Sequence, residues 1–107
     1  MAITVIAEFP KMEGRDPRQD YDELTRELND GRPMTDVSAW GNGLLAHSYS
    51  IDGNGDSVAI DVWESERDME AFMQRLQPIL EREGATPHVR VLQTHSLVAA
   101  ARSATPA

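Results

Sequence analysis

The chain has no cysteine among its 107 residues. Disulfides, thiolate metal centres and a cysteine nucleophile are excluded together. Aromatic residues are scarce, at 6%, so each Trp and Tyr calls for an individual account. No apolar run is long enough to cross a bilayer, and no membrane partner is expected. The opening Met1–Phe9 lacks the basic segment and cleavage pattern of a signal peptide, which leads us to expect a cytoplasmic location. Positive charge is also in short supply. Ten Lys and Arg stand against eighteen Asp and Glu, for a formal charge of −8. A phosphate backbone is repelled by that field, and no basic patch with interleaved aromatics offsets it, so no nucleic-acid partner is expected.

What is present fits one small domain. Hydrophobic residues make up 40% and charged residues 26%, the balance of a soluble globular chain with a single core. Residues 2–9 are rich in β-formers, with Ile3, Val5, Ala7 and Phe9 on one side, and Pro10 ends them. Asp16-Pro17 starts a helix, as N-cap and first helical residue. Tyr21, Leu24 and Leu28 form its apolar stripe, and Asn29-Asp30-Gly31 stops it. Residues 30–42 form a long loop carrying Met34, Val37 and Trp40, a length typical of lids and partner-contacting segments. Leu44–Ile51 and Ser57–Glu64 are two strands around the turn Asp52-Gly53-Asn54-Gly55-Asp56. Ser65 and Asp68 resemble a capping box for a second helix with Met69, Phe72, Met73 and Leu76 buried. Pro78 is expected to break that helix and start a short turn that Gly84 closes. Val89–Val98 is the last strand. The domain is thus assigned to residues 1–98, and 99–107 to a flexible tail.

This order gives an α+β, ferredoxin-like βαββαβ fold with a four-stranded antiparallel sheet. Two helices cover one face of such a sheet only. A second copy of the chain is the economical cover for the other, so a homodimer is expected.

The segments Ile3-Thr4-Val5-Ile6-Ala7-Glu8-Phe9, Gly43-Leu44-Leu45-Ala46-His47 and Asp61-Val62-Trp63-Glu64-Ser65 resemble the dimeric α/β-barrel proteins, in particular the group named after antibiotic-biosynthesis monooxygenases. The resemblance covers residues 2–98. It implies a dimeric α/β barrel with a ligand cleft between sheet and helices, and Trp63 as a residue lining it. It also implies activities such as cofactor-free oxidation of aromatic polyketides, polyketide cyclisation or haem degradation. Haem degradation is disfavoured, because Phe9 stands where that branch has Asn and the second helix contains no His. No cofactor is expected.

The residues with chemical potential are His47, Tyr49, Asp61, Trp63 and His95. If Ile51 pairs with Ser57, then His47 faces Asp61 and Tyr49 faces Ala59, on the side of Trp63. A His held by a carboxylate suits a general base, and a neighbouring Tyr can donate to a developing oxyanion. A two-residue Asn54-Gly55 turn shifts the pairing by one and sends His47 and Asp61 to opposite faces. Both registers remain open at this level. Trp63, Phe72, Met73, Tyr21, Trp40 and His95 are the expected substrate-binding residues. Each also has a plainer role: Trp63 and Met73 as core, His47 as a strand histidine satisfied at a dimer seam, and Trp40 as a plug filling the cleft. His88 and His95 lack metal-ligand spacing, and no metal is expected.

Three functions follow. One is a cofactor-independent monooxygenase or cyclase acting on a planar aromatic or polyketide-like molecule, with His47 or His95 as base. The second is non-catalytic binding of a hydrophobic or aromatic small molecule in the same cleft. The third is a structural dimer.

Overall fold

The computed structural model describes residues 1–99. The expected tail, from residue 100 onward, lies outside the described residues. Strands β1 (Ile3–Phe9), β2 (Leu44–Ile51), β3 (Ser57–Trp63) and β4 (His88–Gln93) alternate with helices α1 (Pro17–Leu28) and α2 (Glu66–Glu83) in the order βαββαβ. The sheet runs β2-β3-β1-β4, and every pair is antiparallel. This is the ferredoxin-like arrangement expected from the pattern.

Each helix begins where side-chain caps dictate. Asp16 Oδ1 accepts from the Arg18 amide at 3.0 Å with Pro17 following it, and Ser65 Oγ accepts from the Asp68 amide at 3.1 Å. Both helices pack on the face carrying Ile3, Val5, Leu44 and Trp63, where Phe72 and Trp40 complete the buried core. Gly43, at φ +87, lies where a Cβ would fall 2.2 Å from the Asp68 carboxylate. Only glycine lets the entry to β2 pass so close to the start of α2.

Two expectations are corrected. Helix α2 does not break at Pro78 but continues through it to Glu83, ending on Gly84 at φ +71. An interior proline costs about 3 kcal/mol. The turn after it buries Ile79 and Leu80, each contributing roughly 1.5–3 kcal/mol, so packing offsets the lost amide bond. Strand β4 stops at Gln93 rather than Val98, because its partner β1 runs out. Gln93 faces Ile3, and one further bond, Thr94 N to Ala2 O at 3.0 Å, follows it.

Trp63 is the most enclosed large side chain, 1% exposed, beneath Phe72 with ring centroids 5.3 Å apart. Replacing it by Ala should lower unfolding stability by about 3–5 kcal/mol, read as a lowered urea midpoint at unchanged slope. A loss under about 1 kcal/mol would show that the core is not organised around it.

Candidate functional site

The hairpin turn decides the site. Asp52 Oδ1 accepts from the amides of Asn54 (2.8 Å) and Asp56 (3.1 Å), and the Asp52 amide donates to Asp56 O at 2.9 Å. The five-residue loop therefore wins over the tight Asn54-Gly55 turn. Ile51 stands opposite Ser57, Tyr49 opposite Ala59 and His47 opposite Asp61. On the face turned towards the helices, His47 Nδ1 bonds Asp61 Oδ1. A carboxylate only accepts, so in a neutral imidazole held this way Nδ1 carries the hydrogen and Nε2 offers its lone pair. Tyr21, reaching down from α1, fills that lone pair with its hydroxyl, 2.6 Å from Nε2. Asp61, His47 and Tyr21 form one hydrogen-bonded chain. Burial first, then the negative charge of Asp61, pushes the Tyr21 hydroxyl well above the ordinary tyrosine range.

This chain lies in the wall of a cavity of about 370 Å³ between the two helices and the sheet, within the size range of small-molecule sites. Tyr21, Tyr49, Trp40, Phe72 and Phe9 supply aromatic walls, and Leu24, Leu76, Ile79 and Leu80 supply aliphatic ones. Tyr49 stacks on Tyr21 with centroids 4.2 Å apart, and its hydroxyl donates to Pro17 O at 3.3 Å. That hydroxyl is thereby engaged at the start of α1, and the Tyr bonded to His47 is Tyr21.

Trp40 arrives from the long loop. Asp36 caps a short 3-10 helix, Val37–Trp40, and Arg75 on α2 clamps it, donating to Trp40 O (3.2 Å) and Leu28 O (2.9 Å). The indole lies 4.1 Å from the His47 ring, centroid to centroid, and is 5% exposed. It walls the cleft without filling it.

Of the residues expected at the site, His47, Asp61, Tyr49, Tyr21, Trp40 and Phe72 border the cavity. Three do not. Trp63 shares their face of the sheet but is sealed beneath Phe72 as core. Met73 packs against the same core, half-buried. His95 is exposed beyond the end of β4, away from the cavity because β4 runs from the Glu8 end of β1, next to Phe9 in the cavity wall, towards Ile3. Among the described residues no group of three or more His, Asp or Glu is arranged to hold a metal ion, and no helix is long and apolar enough to cross a membrane.

Solved structures share this architecture. SnoaB, a cofactor-independent oxygenase from Streptomyces nogalater, superposes with a TM-score of 0.65 at 12% identity, over 91% of this chain and 96% of that one. Rv0793 from Mycobacterium tuberculosis gives 0.64 at 15% identity, over 92% and 100%. A candidate antibiotic biosynthesis monooxygenase from Deinococcus radiodurans gives 0.58 at 12% identity, over 94% and 98%. The chain shares the fold of these three structures. No family model matches the sequence, and no curated protein does.

Within this fold, the mouth of the cavity carries residues that the sequence pattern did not single out. Arg82 on α2 pairs with Glu27 on α1 at 2.7 Å, and Arg15, just before α1, pairs with Glu83 at 3.0 Å. These two straps tie the helices together across the opening. No local motif marks them, because their partners are 55 and 68 residues apart. Hydrogen bonds from Arg82 hold the Glu27 carboxyl below its ordinary range, and those from Arg15, then Arg82, do the same for Glu83. Depressed carboxylates stabilise the fold above their unfolded value and lose that contribution as pH falls through the folded one. Protection from hydrogen exchange in the last turn of α2 should therefore persist from neutrality through roughly pH 4.3, the ordinary glutamate value, and fall only below it. Loss of protection beginning above about pH 5 would contradict the straps.

Proposed function

We infer that the cavity takes up a planar aromatic or polyketide-like small molecule and removes a proton from it, as a cofactor-independent monooxygenase or cyclase. The observation that carries this is the Asp61–His47 pair set in the wall of an aromatic-lined cavity. Asp61 holds the imidazole in one tautomer and stabilises the imidazolium that forms when His47 takes a proton. Five carboxylates (Asp20, Glu23, Glu27, Asp61, Glu83) against three cations (Lys11, Arg15, Arg82) border the space, so a neutral molecule is favoured over an anion. The fold shared with SnoaB, itself a cofactor-independent oxygenase, supports the same direction.

The chemistry then belongs to the substrate anion. As an oxygenase, the carbanion of an activated methylene forms a C–O bond with dioxygen and takes up a proton. The resulting hydroperoxide loses water to leave a carbonyl. As a cyclase, the same carbanion adds to a carbonyl of its own molecule. Non-catalytic binding of a similar molecule is the second reading, favoured by the largely apolar walls and by the engagement of both His47 nitrogens within the protein.

The chain is also inferred to act as a homodimer. The sheet face away from the helices carries Ile60, opposite Ile6, and Leu92, opposite Thr4, 37% and 41% exposed. An apolar face of this kind on a small domain calls for a partner, and a second copy presents the same face by symmetry.

With anthrone, a planar ketone with an acidic methylene, the wild type should consume oxygen faster than buffer alone. His47→Ala should cut that rate by about two to four orders of magnitude, the usual scale for loss of a general base, while thermal melting shows an intact fold. Binding without turnover would favour the second reading, and unchanged turnover in His47→Ala would remove the base. Light scattering at micromolar concentration should return twice the chain mass of 11.9 kDa. A value at the chain mass across a wide dilution range would exclude the dimer.

A further inference from the structure

His47 has no free nitrogen with which to meet a bound molecule. Nδ1 is engaged by Asp61 and Nε2 by the Tyr21 hydroxyl, 2.6 Å away. A neutral imidazole has one hydrogen and one lone pair to offer, and both are used. The next atom along the chain is Tyr21 Oη. It donates its hydrogen to His47, keeps lone pairs of its own, and belongs to a side chain that borders the cavity. Tyr49 offers no second outlet, since its hydroxyl is turned to Pro17 O. Its stacked ring limits Tyr21's movement away from His47.

We propose that Tyr21 is the residue that touches the acidic hydrogen of the substrate and relays the proton to His47, a role that rests on the proton-abstracting function inferred above. The substrate C–H or O–H bond breaks and leaves its electron pair on the substrate. Its proton passes to Tyr21 Oη, the proton Tyr21 held passes to His47 Nε2, and the imidazolium is held by the Asp61 carboxylate. Tyr21 is a neutral phenol before and after. Burial and the charge of Asp61 oppose a phenolate at this position, so the two transfers run together rather than through a charged tyrosine. The relay also defines the substrate class. The molecule presents a hydrogen to a phenol oxygen, and so binds as a neutral weak acid: an enol, a phenol or an activated methylene.

The test measures proton abstraction alone. Anthrone in deuterated buffer without oxygen exchanges its methylene hydrogens, and nuclear magnetic resonance follows the exchange in wild type, Tyr21→Phe, His47→Ala and the double variant. Phe preserves the ring on Tyr49 and removes one oxygen, and thermal melting checks the fold. Wild type should accelerate exchange, and each single variant should lose about two to four orders of magnitude of it. The double variant should be no worse than either single, as expected for groups acting as one unit. Nitrogen shifts of His47 in Tyr21→Phe should still report a hydrogen on Nδ1. Exchange at the wild-type rate in Tyr21→Phe would overturn the relay while leaving His47 as a direct base. Slow exchange with the Nδ1 hydrogen lost would also overturn it, by making Tyr21 a positioning residue. Absence of acceleration by wild type would overturn the relay and the base together. Exchange without oxygen uptake or cyclisation would keep the relay and remove the later reaction.

Discussion

Two hydrogen bonds from backbone amides to the Asp52 carboxylate hold the turn that sets the register of β2 against β3, and the pairing of His47 with Asp61 depends on that register. Strand side chains alternate faces with a period of two, so a slip of one residue would carry His47 to the far side of the sheet, away from Asp61 and Tyr21. The tight Asn54-Gly55 turn offers that slip with favourable backbone angles of its own. It loses because only the wider loop lets the Asp52 carboxylate accept from two backbone amides, and because the slipped strand would take Tyr49 and Ile51 off the apolar face. The Lys11 amide adds a third contact, donating to Asp56 at 2.7 Å, and so ties the exit of β1 to the same turn.

The cavity has a different origin. Helices α1 and α2 lie on one face of the sheet but touch each other little, and what joins them is peripheral. Arg75 clamps the inner end through two backbone carbonyls, while Arg82 and Arg15 strap the outer end through Glu27 and Glu83. Exposed ion pairs of this kind contribute little stability each. Their position matters more than their energy, since all four side chains border the opening of the cavity. Space that could have held core side chains is left open as the cavity, and the buried core gathers around Trp63 and Phe72.

The two tryptophans divide these tasks. Trp63 ends a β-branched strand and lies under the second helix, where close packing leaves it almost no solvent contact. Trp40 sits in a loop with no apolar periodicity and reaches the cleft only because Asp36 caps a single turn of helix and Arg75 holds it there. The resemblance to the monooxygenase group pointed to Trp63 as the cleft tryptophan. In the fold, its place at the buried end of β3 makes it core, and the indole beside His47 comes from elsewhere in the chain.

Much of the architecture was legible in the residues themselves. Strand alternation, the Asp16 and Ser65 caps and the glycine after α2 are local signals, with physical causes confined to a few neighbouring residues, and they yield the βαββαβ order directly. The His47–Asp61 pairing was legible only as one of two alternatives, because turn chemistry favoured both loops and the deciding bonds are made by a side chain. Continuation of α2 through Pro78 and the early end of β4 were not legible, since each depends on what another segment offers: a core for Ile79 and Leu80, or the end of β1 at Ile3. The bond from Tyr21 to His47 joins residues 26 positions apart on different elements, and no local pattern encodes it. Local hydrogen bonding and periodicity therefore determined which elements form and which face is apolar. Only the docking of α1 over β2 decided that an ordinary helix-stripe tyrosine would become the end of a hydrogen-bonded chain, because that distance exists only once the helix is seated on the sheet.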